Sequence, residues 1–359
     1  PLSPMKIITD LRAELYNNED NNNPEILGNR IDQEEIWSCT TCGACMEECP
    51  VLIGHVPTIT DFRRHMVLEQ GAPPAQASEH LEHMQNSGNP WGLPKNDRTL
   101  WIDESDLDIP YLSDKKEVDI LYWVGCAGSY DPRNQGVARD LVRIMKKAGL
   151  DFAVLGKEET CTGDSARRLG DEYLFETLAK ENIDTLNSYK FNTVVTACPH
   201  CFHTIANEYS DFGGNYDVIH HSEFISKLID ENKILLNDKK FDEKITYHDP
   251  CYLGRHNNIY DEPRHIINSL DSSKSLIEID KNKENSFCCG AGGGNMWYEI
   301  DSGDRINIER FEQAAETGAK TVATSCSFCM IMLDDAMKVT GNEKTMEVKD
   351  IAELVADNL

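Results

Sequence analysis

The chain has 359 residues, enough for two or three domains that each bury a hydrophobic core of their own. Its 35 basic and 62 acidic residues give a formal net charge of -27, which argues against binding nucleic acid or an anionic membrane surface. No apolar run approaches the roughly 18 to 20 residues of a membrane-spanning helix, so the sequence predicts no transmembrane segment in this chain. The acidic surface is expected to be solvated, and docking to a basic patch on a partner protein is the alternative.

Residues 1–112 are predicted to be helical and rich in loops. The polar tract YNNEDNNNP (residues 16–24) is typical of a flexible connector, and RRHMVLEQ (63–70) predicts a helix that ends at Gly71. The stretch from Gly88 to Pro110 is predicted to be an irregular linker. The chain begins at Pro1 rather than at Met and lacks a leader of the signal-peptide kind, which leaves an upstream domain open.

The first cysteine motif, CTTCGACMEECP (residues 39–50), is called the ferredoxin-type loop below. Two, two and three residues separate its thiols, which is the spacing of bacterial ferredoxins and predicts a [4Fe-4S] cubane at Cys39, Cys42, Cys45 and Cys49. Gly43 removes a side chain where backbone must pass close to sulfide. Structural zinc is the alternative, but zinc usually takes two separated CxxC pairs. In two-cluster ferredoxins the fourth cysteine ligates the other cluster, so Cys49 closes this cubane or serves a second cluster with upstream ligands.

From Val118 onward, short apolar runs alternate with helical segments. The strand-like runs are VDILYWVG (118–125), FNTVVTAC (191–198), KITYHDPC (244–251) and AKTVATSC (319–326). The helical segments are GVARDLVRIMKKAG (136–149), DEYLFETLAKENIDTL (171–186) and RINIERFEQAAETG (305–318). This alternation predicts an α/β fold with parallel sheets, preceded by the helical ferredoxin-like region.

The cysteines of this α/β half repeat along the chain. Cys126 precedes Cys251 by 125 residues, and three further pairs are each 128 residues apart, namely Cys161 and Cys289, Cys198 and Cys326, and Cys201 and Cys329. The repeat predicts two similar modules, at about 117–240 and 243–359. All 13 cysteines of the chain lie in tight clusters, unlike the disulfide framework of a small secreted domain, which indicates metal binding in a reducing compartment.

The two modules differ in their number of thiols. The four-cysteine site of the first module comprises Cys126, Cys161, Cys198 and Cys201, and the five-cysteine site of the second comprises Cys251, Cys288, Cys289, Cys326 and Cys329. Several of these cysteines follow predicted strands, at the usual ligand edge of a parallel sheet, and a helix N-terminus there favours the thiolate. Five thiols exceed what a cubane or zinc accepts, so a larger or less regular cofactor is expected. Thr160 occupies the place of the extra cysteine in the first module.

The spacing Cys251, 36 residues, Cys288-Cys289, 36 residues, Cys326-x-x-Cys329 resembles the cysteine-rich CCG module of heterodisulfide reductase subunits. A ferredoxin motif followed by two such modules is that family's order and covers nearly the whole chain. The segments CTTCGACMEECPVLIGH, GNPWGLP, ETCTGDSARRLGDE and CPHCFHTIANEY look closest to the membrane-linked branch, which carries electrons between electron-transfer flavoprotein and menaquinone.

The resemblance implies a noncubane [4Fe-4S] cluster at the five-cysteine site, built from two smaller iron–sulfur halves and using the extra thiolate of the Cys288-Cys289 pair. It leaves a cubane, another iron–sulfur cluster or zinc open at the four-cysteine site, because Thr160 departs from the pattern. In the membrane-linked branch, a haem-binding helical domain and a first ferredoxin motif precede a segment resembling PLSPMKIITDLR. By this analogy Pro1 follows a missing run, and Cys49 serves the cluster of that run.

Several residues near the cysteines are candidates for further roles. His248 and His200 are candidate catalytic residues that donate to cluster sulfur or relay a proton, with capping or packing as the alternative. Arg255, and with it Arg167 and Arg168, is expected to offset cluster charge or bind an anionic substrate, with a surface salt bridge as the alternative. The GAGGG segment (residues 290–294) does not match the nucleotide-binding pattern GxGxxG. Close approach of the backbone to the cluster is therefore expected at Gly290, Gly292 and Gly293.

The sequence therefore predicts an iron–sulfur oxidoreductase subunit. By the resemblance, it relays electrons from an electron-transfer flavoprotein or similar donor to menaquinone or haem in a membrane cytochrome b-like domain or subunit. Its expected location is the cytoplasm, at the inner face of the membrane. The first alternative is a disulfide reductase that cleaves its substrate at the noncubane cluster, and the second is a zinc-bound interaction module without redox activity.

Overall fold

A computed structural model describes residues 2–17, 26–237, 244–270, 276–300 and 303–359. The predicted connector lies largely outside the described residues, as do the module boundaries at 240 and 243. The N-terminal region is helical, as predicted, with helices α1 (Pro4–Asn17), α2 (Gln33–Trp37), α3 (Ala44–Glu47), α4 (His55–Arg64), α5 (Ala75–Ser87), α6 (Leu100–Asp103) and α7 (Leu112–Lys115). The helix predicted over 63–70 is the end of α4 and a π-helical turn, His65–Glu69, and the chain then leaves the helix at Gly71 with φ 62°.

The stretch from Gly88 to Pro110, predicted to be an irregular linker, is irregular at 88–94 and 104–110 and helical in between. This stretch contains a 3-10 helix, Lys95–Thr99, and helix α6, and it buries Arg98 and Trp101. Trp101 packs edge-on against Tyr122 of the first module, with ring centroids 6.5 Å apart. Burial of the two large side chains orders a segment whose Gly and Pro content is typical of a loop.

Each module is built on a four-stranded parallel sheet. The strands are β1 (Glu117–Trp123), β2 (Phe152–Val154), β3 (Lys190–Thr196) and β4 (Val218–His220) in the first sheet and β5 (Ile245–Tyr247), β6 (Leu276–Ile277), β7 (Thr321–Thr324) and β8 (Glu347–Asp350) in the second. The strand orders are β2-β1-β3-β4 and β6-β5-β7-β8, so the second sheet repeats the first. The predicted α/β fold with two repeated parallel-sheet modules is confirmed.

Helices connect the parallel strands. Those of the first module are α8 (Gly125–Tyr130), α9 (Pro132–Lys147), α10 (Asp164–Leu169), α11 (Glu172–Asn187), α12 (Pro199–His203) and α13 (His221–Asp230), and those of the second are α14 (Asp261–Leu270), α15 (Ile306–Ala315), α16 (Ser327–Val339) and α17 (Ile351–Ala356). Helix α9 shows why the sequence forms them. The Asp131 side chain caps its N-terminus, Pro132 occupies the first turn, and Leu141 and Ile144 lie on its buried face.

The two modules share one hydrophobic core. It contains Tyr122 and Leu141 of the first module together with Tyr247 and Ile351 of the second. Helix α9 packs against α17, where the guanidinium of Arg133 donates to both carboxylate oxygens of Glu353 at 2.5 and 2.7 Å. The shared core fixes the two cysteine-bearing sheet edges relative to each other. Within the described ranges, no helix is both long enough and apolar enough to cross a bilayer.

Candidate metal centres

The module cysteines lie beyond the carboxyl ends of parallel strands, where the sequence places them. Cys126 is in the first turn of α8 after β1, Cys198 is the N-cap of α12 after β3, and Cys326 is the N-cap of α16 after β7. Every cysteine of the two modules is buried, and every one is a free thiol. Both cysteine sites therefore combine closely packed sulfur ligands with protection from water.

The structure brings the five thiols of the second module together. Cys288 is hydrogen-bonded to Cys251 and to its neighbour Cys289. The Cys329 thiol donates to the Cys289 sulfur at 3.3 Å, and the Cys329 backbone N–H donates to the Cys326 sulfur at 3.5 Å. Thiols of Cys288 and Cys329 that donate to Cys289 hold its pKa well below the usual range. Both members of the doublet face the same site, so this donor set fits a cofactor that takes five thiolates.

The ferredoxin-type loop reaches into the five-cysteine site. The thiols of Cys42 and Cys288 are hydrogen-bonded to each other, and the Cys288 sulfur also contacts the Thr40 hydroxyl at 3.4 Å. Cys45 lies close to Cys39 and Cys42. Burial, together with the charges of these two neighbours, raises the pKa of the Cys45 thiol to about 11. The thiols of Cys39, Cys42 and Cys45 therefore form one group that adjoins the five-cysteine site.

Cys49 stands apart from this group. Its sulfur accepts a hydrogen bond from the backbone N–H of Ile53 at 3.4 Å. Backbone N–H groups of Ile53 and Val51 lower the pKa of the Cys49 thiol, and no other cysteine of the described residues acts on it. Of the four thiols of the loop, three converge and the fourth points elsewhere.

The four-cysteine site is made of two hydrogen-bonded thiol pairs, Cys126 with Cys161 and Cys198 with Cys201. The charges of Cys126 and Cys161 also act on Cys201, so the pairs adjoin each other. Thr160 does not face this site as a fifth donor, because its hydroxyl donates to the Asn182 side-chain oxygen at 2.8 Å. The set fits a cofactor with four thiolate ligands, and zinc and a cubane both meet that description.

A buried arginine that the sequence analysis missed contacts the four-cysteine site. Both terminal nitrogens of Arg98 contact the Cys126 sulfur, at 3.6 and 3.8 Å, and one of them donates to Glu159 at 2.5 Å. Glu159 in turn accepts the backbone N–H groups of Val124 and Gly125 at 3.0 and 2.8 Å. The guanidinium places a fixed positive charge beside a thiolate ligand. Arg98 lies in the stretch predicted to be a linker, so no sequence signal pointed to it.

Two of the glycines expected to approach a cluster, Gly292 and Gly293, lie against the ferredoxin-type loop. A methyl group on Gly292 would overlap the carbonyl oxygen of Thr40, and one on Gly293 would overlap that of Cys39. A methyl group on Gly290 would lie 3.3 Å from the Ile306 side chain, and one on Gly43 would lie 3.3 Å from His256. Packing between chain segments therefore accounts for these glycines in the structure.

Arg63, which no sequence pattern singles out, holds the ferredoxin-type loop and the GAGGG segment together. Its side chain is completely buried near the end of α4. It donates to the carbonyl oxygens of Cys39 at 2.6 Å, Gly293 at 2.6 Å and Arg168 at 2.9 Å, and also to those of Ile36 and Trp37. The sequence shows only two adjacent arginines in a helix, which is typical of a solvated surface.

The predicted histidine and arginine candidates have different surroundings. His200 bonds Asp164 at 2.9 Å, and although burial alone would lower the pKa of His200, Asp164 raises it to about 10. His200 also stacks on Tyr252, with ring centroids 4.1 Å apart. His248 is buried beside Cys289 and Cys329.

The arginine candidates are engaged in the structure. The Nε of Arg255 donates to the Cys42 carbonyl oxygen at 2.8 Å. Burial alone would lower the pKa of Arg255, but nearby thiols, led by those of Cys251 and Cys42, raise it. Arg167 and Arg168 form ion pairs with carboxylates that include Glu172 and Glu208. Arg255 is therefore the candidate that lies against the thiols of both the loop and the second module.

The chain is similar to several known proteins. Residues 120–206 and 245–334 each match the cysteine-rich domain family CCG. The chain is 40% identical over 342 residues to the probable iron-sulfur-binding oxidoreductase FadF of Bacillus subtilis, covering 94% of this chain and 48% of that protein. It is 42% identical over 337 residues to the EtfAB:quinone oxidoreductase of Syntrophomonas wolfei, covering 90% and 46%.

A third relative is covered over most of its length. The chain is 31% identical over 333 residues to a subunit of the dihydromethanophenazine:CoB--CoM heterodisulfide reductase of Methanosarcina barkeri, covering 91% of this chain and 78% of that protein. By contrast, the chain spans about half the length of the first two relatives.

Proposed function

Because the chain belongs to the family of cysteine-rich iron–sulfur oxidoreductases that includes this heterodisulfide reductase, we propose that it relays single electrons between a flavoprotein donor and a membrane quinone or haem. Iron–sulfur clusters held by thiolates supply one-electron chemistry over a wide range of potentials. The observation that carries the proposal is the close approach of the Cys42 and Cys288 thiols, which joins the ferredoxin-type loop to the five-cysteine site. Two redox sites in contact are what a relay requires.

The ligand sets follow from the way the thiols are grouped. Cys39, Cys42 and Cys45 would hold a [4Fe-4S] cubane, and Cys49 would serve a second cluster with ligands outside this chain. The five-cysteine site would hold a noncubane [4Fe-4S] cluster. The four-cysteine site would hold an iron–sulfur cluster or zinc, with Arg98 offsetting the charge on Cys126. Arg255 would do the same where the loop meets the second module.

The partners are proposed from the relatives. The name of the Syntrophomonas wolfei protein pairs EtfAB with a quinone, so we take an electron-transfer flavoprotein as the donor and menaquinone as the acceptor. A cytochrome b-like domain or subunit would carry the quinone or haem site. This arrangement would place the chain in the cytoplasm, at the inner face of the membrane.

Disulfide reduction at the five-cysteine site is the second candidate, and one observation favours it. A cavity of about 580 Å³ adjoins this site and is lined by Thr40, Gly290 and Met332, among other residues. Thr40 contacts the Cys288 sulfur, and Gly290 follows Cys289 directly, so a small substrate in the cavity would lie beside the doublet.

Anaerobic reconstitution followed by two assays separates the candidates. Iron and acid-labile sulfide are counted first, since zinc without either would contradict both candidates. The loaded chain is then mixed with reduced electron-transfer flavoprotein or, after chemical reduction, with low-molecular-weight disulfides. The relay predicts rapid bleaching of the iron–sulfur absorbance by the flavoprotein and no turnover of disulfides. Sustained thiol production with no response to the flavoprotein would establish the disulfide reductase instead.

A further inference from the structure

His248 lies at the edge of the five-cysteine site, and one of its ring nitrogens has no partner among the residues that the structure describes. It follows strand β5 directly, is 1% exposed, and is anchored by its backbone N–H, which donates to the Ala323 carbonyl oxygen at 2.9 Å. A ring nitrogen of His248 and the sulfurs of Cys289 and Cys329 all lie within 4.8 Å of one another. Its Nε2 is buried and has no hydrogen-bond partner among the described residues. A buried polar atom without a partner is costly, which points to a ligand that this atom would meet.

Arg310 determines which nitrogen of His248 carries the proton. The Nε–H of Arg310 donates to Nδ1 of His248 at 2.9 Å. A guanidinium has no acceptor, so Nδ1 must be the acceptor and Nε2 must carry the hydrogen.

The position of Arg310 is itself fixed. Its side chain is fully buried on α15, and it also donates to the Lys281 carbonyl oxygen at 3.0 Å and to the Ser286 hydroxyl at 3.3 Å. The charges of Cys329 and Cys289 also act on Arg310, so its guanidinium lies near the same thiols. The guanidinium of Arg310 thus contacts the imidazole of His248, which lies beside the sulfurs of Cys289 and Cys329, and all of these groups are buried.

The first module has an independent counterpart. Trp123 stands three residues before Cys126, just as His248 stands three residues before Cys251. Its indole Nε1–H is also buried and has no acceptor within the described part of the chain. An indole nitrogen donates hydrogen bonds and cannot ligate a metal in this form. At equivalent strand ends, both modules therefore present an N–H group that no atom of the described residues accepts.

We propose that Nε2 of His248 donates a hydrogen bond to sulfur at the five-cysteine site, with Arg310 fixing this tautomer, and thereby raises the midpoint potential of the cluster held there. The inference rests on the proposed function, because it requires an iron–sulfur cluster at this site. Hydrogen bonds to cluster sulfur stabilise the more negative, reduced state, so donors raise the potential. Direct ligation would need a lone pair on Nε2, which is the nitrogen that carries the proton.

Two variants of the full chain test this role. His248→Phe keeps a ring but removes the donor, and His248→Gln keeps a side-chain N–H. His265→Ala is the matched control, since His265 lies on α14 and its Nδ1 bonds the Ser226 hydroxyl. Iron and acid-labile sulfide are measured in each, and midpoint potentials are then taken from redox titrations followed by electron paramagnetic resonance.

At equal iron and sulfide content, His248→Phe should lower the potential of the five-cysteine cluster by about 59 mV, corresponding to roughly a tenfold shift of the one-electron equilibrium. His248→Gln should restore most of this shift, and His265→Ala should leave the potential unchanged. Nitrogen-15 labelling of histidine should give a weak hyperfine coupling that both His248 variants lose.

An unchanged potential in fully loaded His248→Phe would overturn the inference, as would a strong coupling that indicates an iron–nitrogen bond. Wild-type chain without iron and sulfide would instead overturn the proposed function, and the inference with it.

Discussion

One side chain distinguishes the two cysteine sites from each other. Cys288 and Thr160 occupy equivalent positions 128 residues apart, yet Cys288 bonds three other thiols while Thr160 bonds the amide of Asn182. Asn182 in turn stands 128 residues before Arg310. The residue that bonds Thr160 in the first module is thus replaced by an arginine at the equivalent position of the second. The difference in ligand number is thus supported by a second difference in the surrounding polar groups.

The extra thiol is tested by a pair of equivalent substitutions. Cys288→Ala should remove about four irons per chain, the content of one four-iron cluster, because the remaining thiols do not match a noncubane core. Thr160→Ala should retain the wild-type iron and sulfide content. Iron and acid-labile sulfide are measured after anaerobic reconstitution. Wild-type iron content and spectra in Cys288→Ala would show that the doublet does not supply a required ligand.

Arg63 and Arg64 are adjacent in sequence and have opposite surroundings. Arg63→Met should lower the free energy of unfolding by about 3 kcal/mol or more, because it removes several hydrogen bonds from a charged guanidinium to buried carbonyls, each worth about 1.5–3 kcal/mol. Arg64→Met should cost about 1 kcal/mol or less, since its ion pairs with Asp61 and Glu172 are partly exposed. Urea unfolding of the reduced, metal-free chain gives both values, and equal losses would contradict the role assigned to Arg63.

At the scale of elements, the GAGGG segment and the ferredoxin-type loop form a close backbone contact. Gly293 and Gly318 both have φ near +70°, but only Gly293 lies in this contact. Alanine substitutions at the two positions therefore separate the effect of the contact from the effect of backbone conformation. In Gly318→Ala the new methyl group meets no atom within 4 Å, so only the cost of a left-handed residue, about 1 kcal/mol, is expected.

Gly293→Ala should cost about 1–3 kcal/mol more than Gly318→Ala, because the new methyl group would overlap the Cys39 carbonyl oxygen. It should also expose the ferredoxin-type loop to protease. Urea unfolding and limited proteolysis of the two variants provide the measurements. The same protease sensitivity in both would mean that the contact does not hold the loop in place.

The junctions between sheets and helices show how the modules are joined. Strands β4 and β8 both lead into a helix with a capping box, built by His220 with Glu223 and by Asp350 with Glu353. His221 connects the two junctions, since its ring nitrogens contact His220 at 3.2 Å and Asp350 at 2.9 Å. A buried polar chain thus crosses the interface between modules that the hydrophobic core also spans.

At the scale of the molecule, the thiols come from segments far apart in the chain, so clusters would crosslink the fold. Reconstitution with iron and sulfide should therefore raise the thermal unfolding midpoint by roughly 5–10 °C, because ligands that bind only the folded state stabilise it. Cys42→Ser should reduce this rise, and Cys49→Ser should retain it, since Cys49 stands apart. Anaerobic calorimetry measures the midpoints. A reduced rise in Cys49→Ser would instead mean that Cys49 closes the cubane with the other three thiols.

The sequence by itself determined the α/β fold, the repeat and the number of thiols in each site. These properties are local or periodic: strand and helix patterns report burial within a segment, and equal spacing reports a repeated unit. The prediction of an irregular linker between Gly88 and Pro110 missed the short helices at its centre, where the fold buries Arg98 and Trp101.

Only the tertiary structure decided that Cys42 meets Cys288, that Cys49 does not join its neighbours, and that Arg63, Arg98 and Arg310 are buried beside the cysteine sites. An arginine on a helix has the same local pattern whether it faces solvent or a carbonyl cluster. Which segments meet depends on how the two modules and the helical region pack together, and no short window of sequence carries that information.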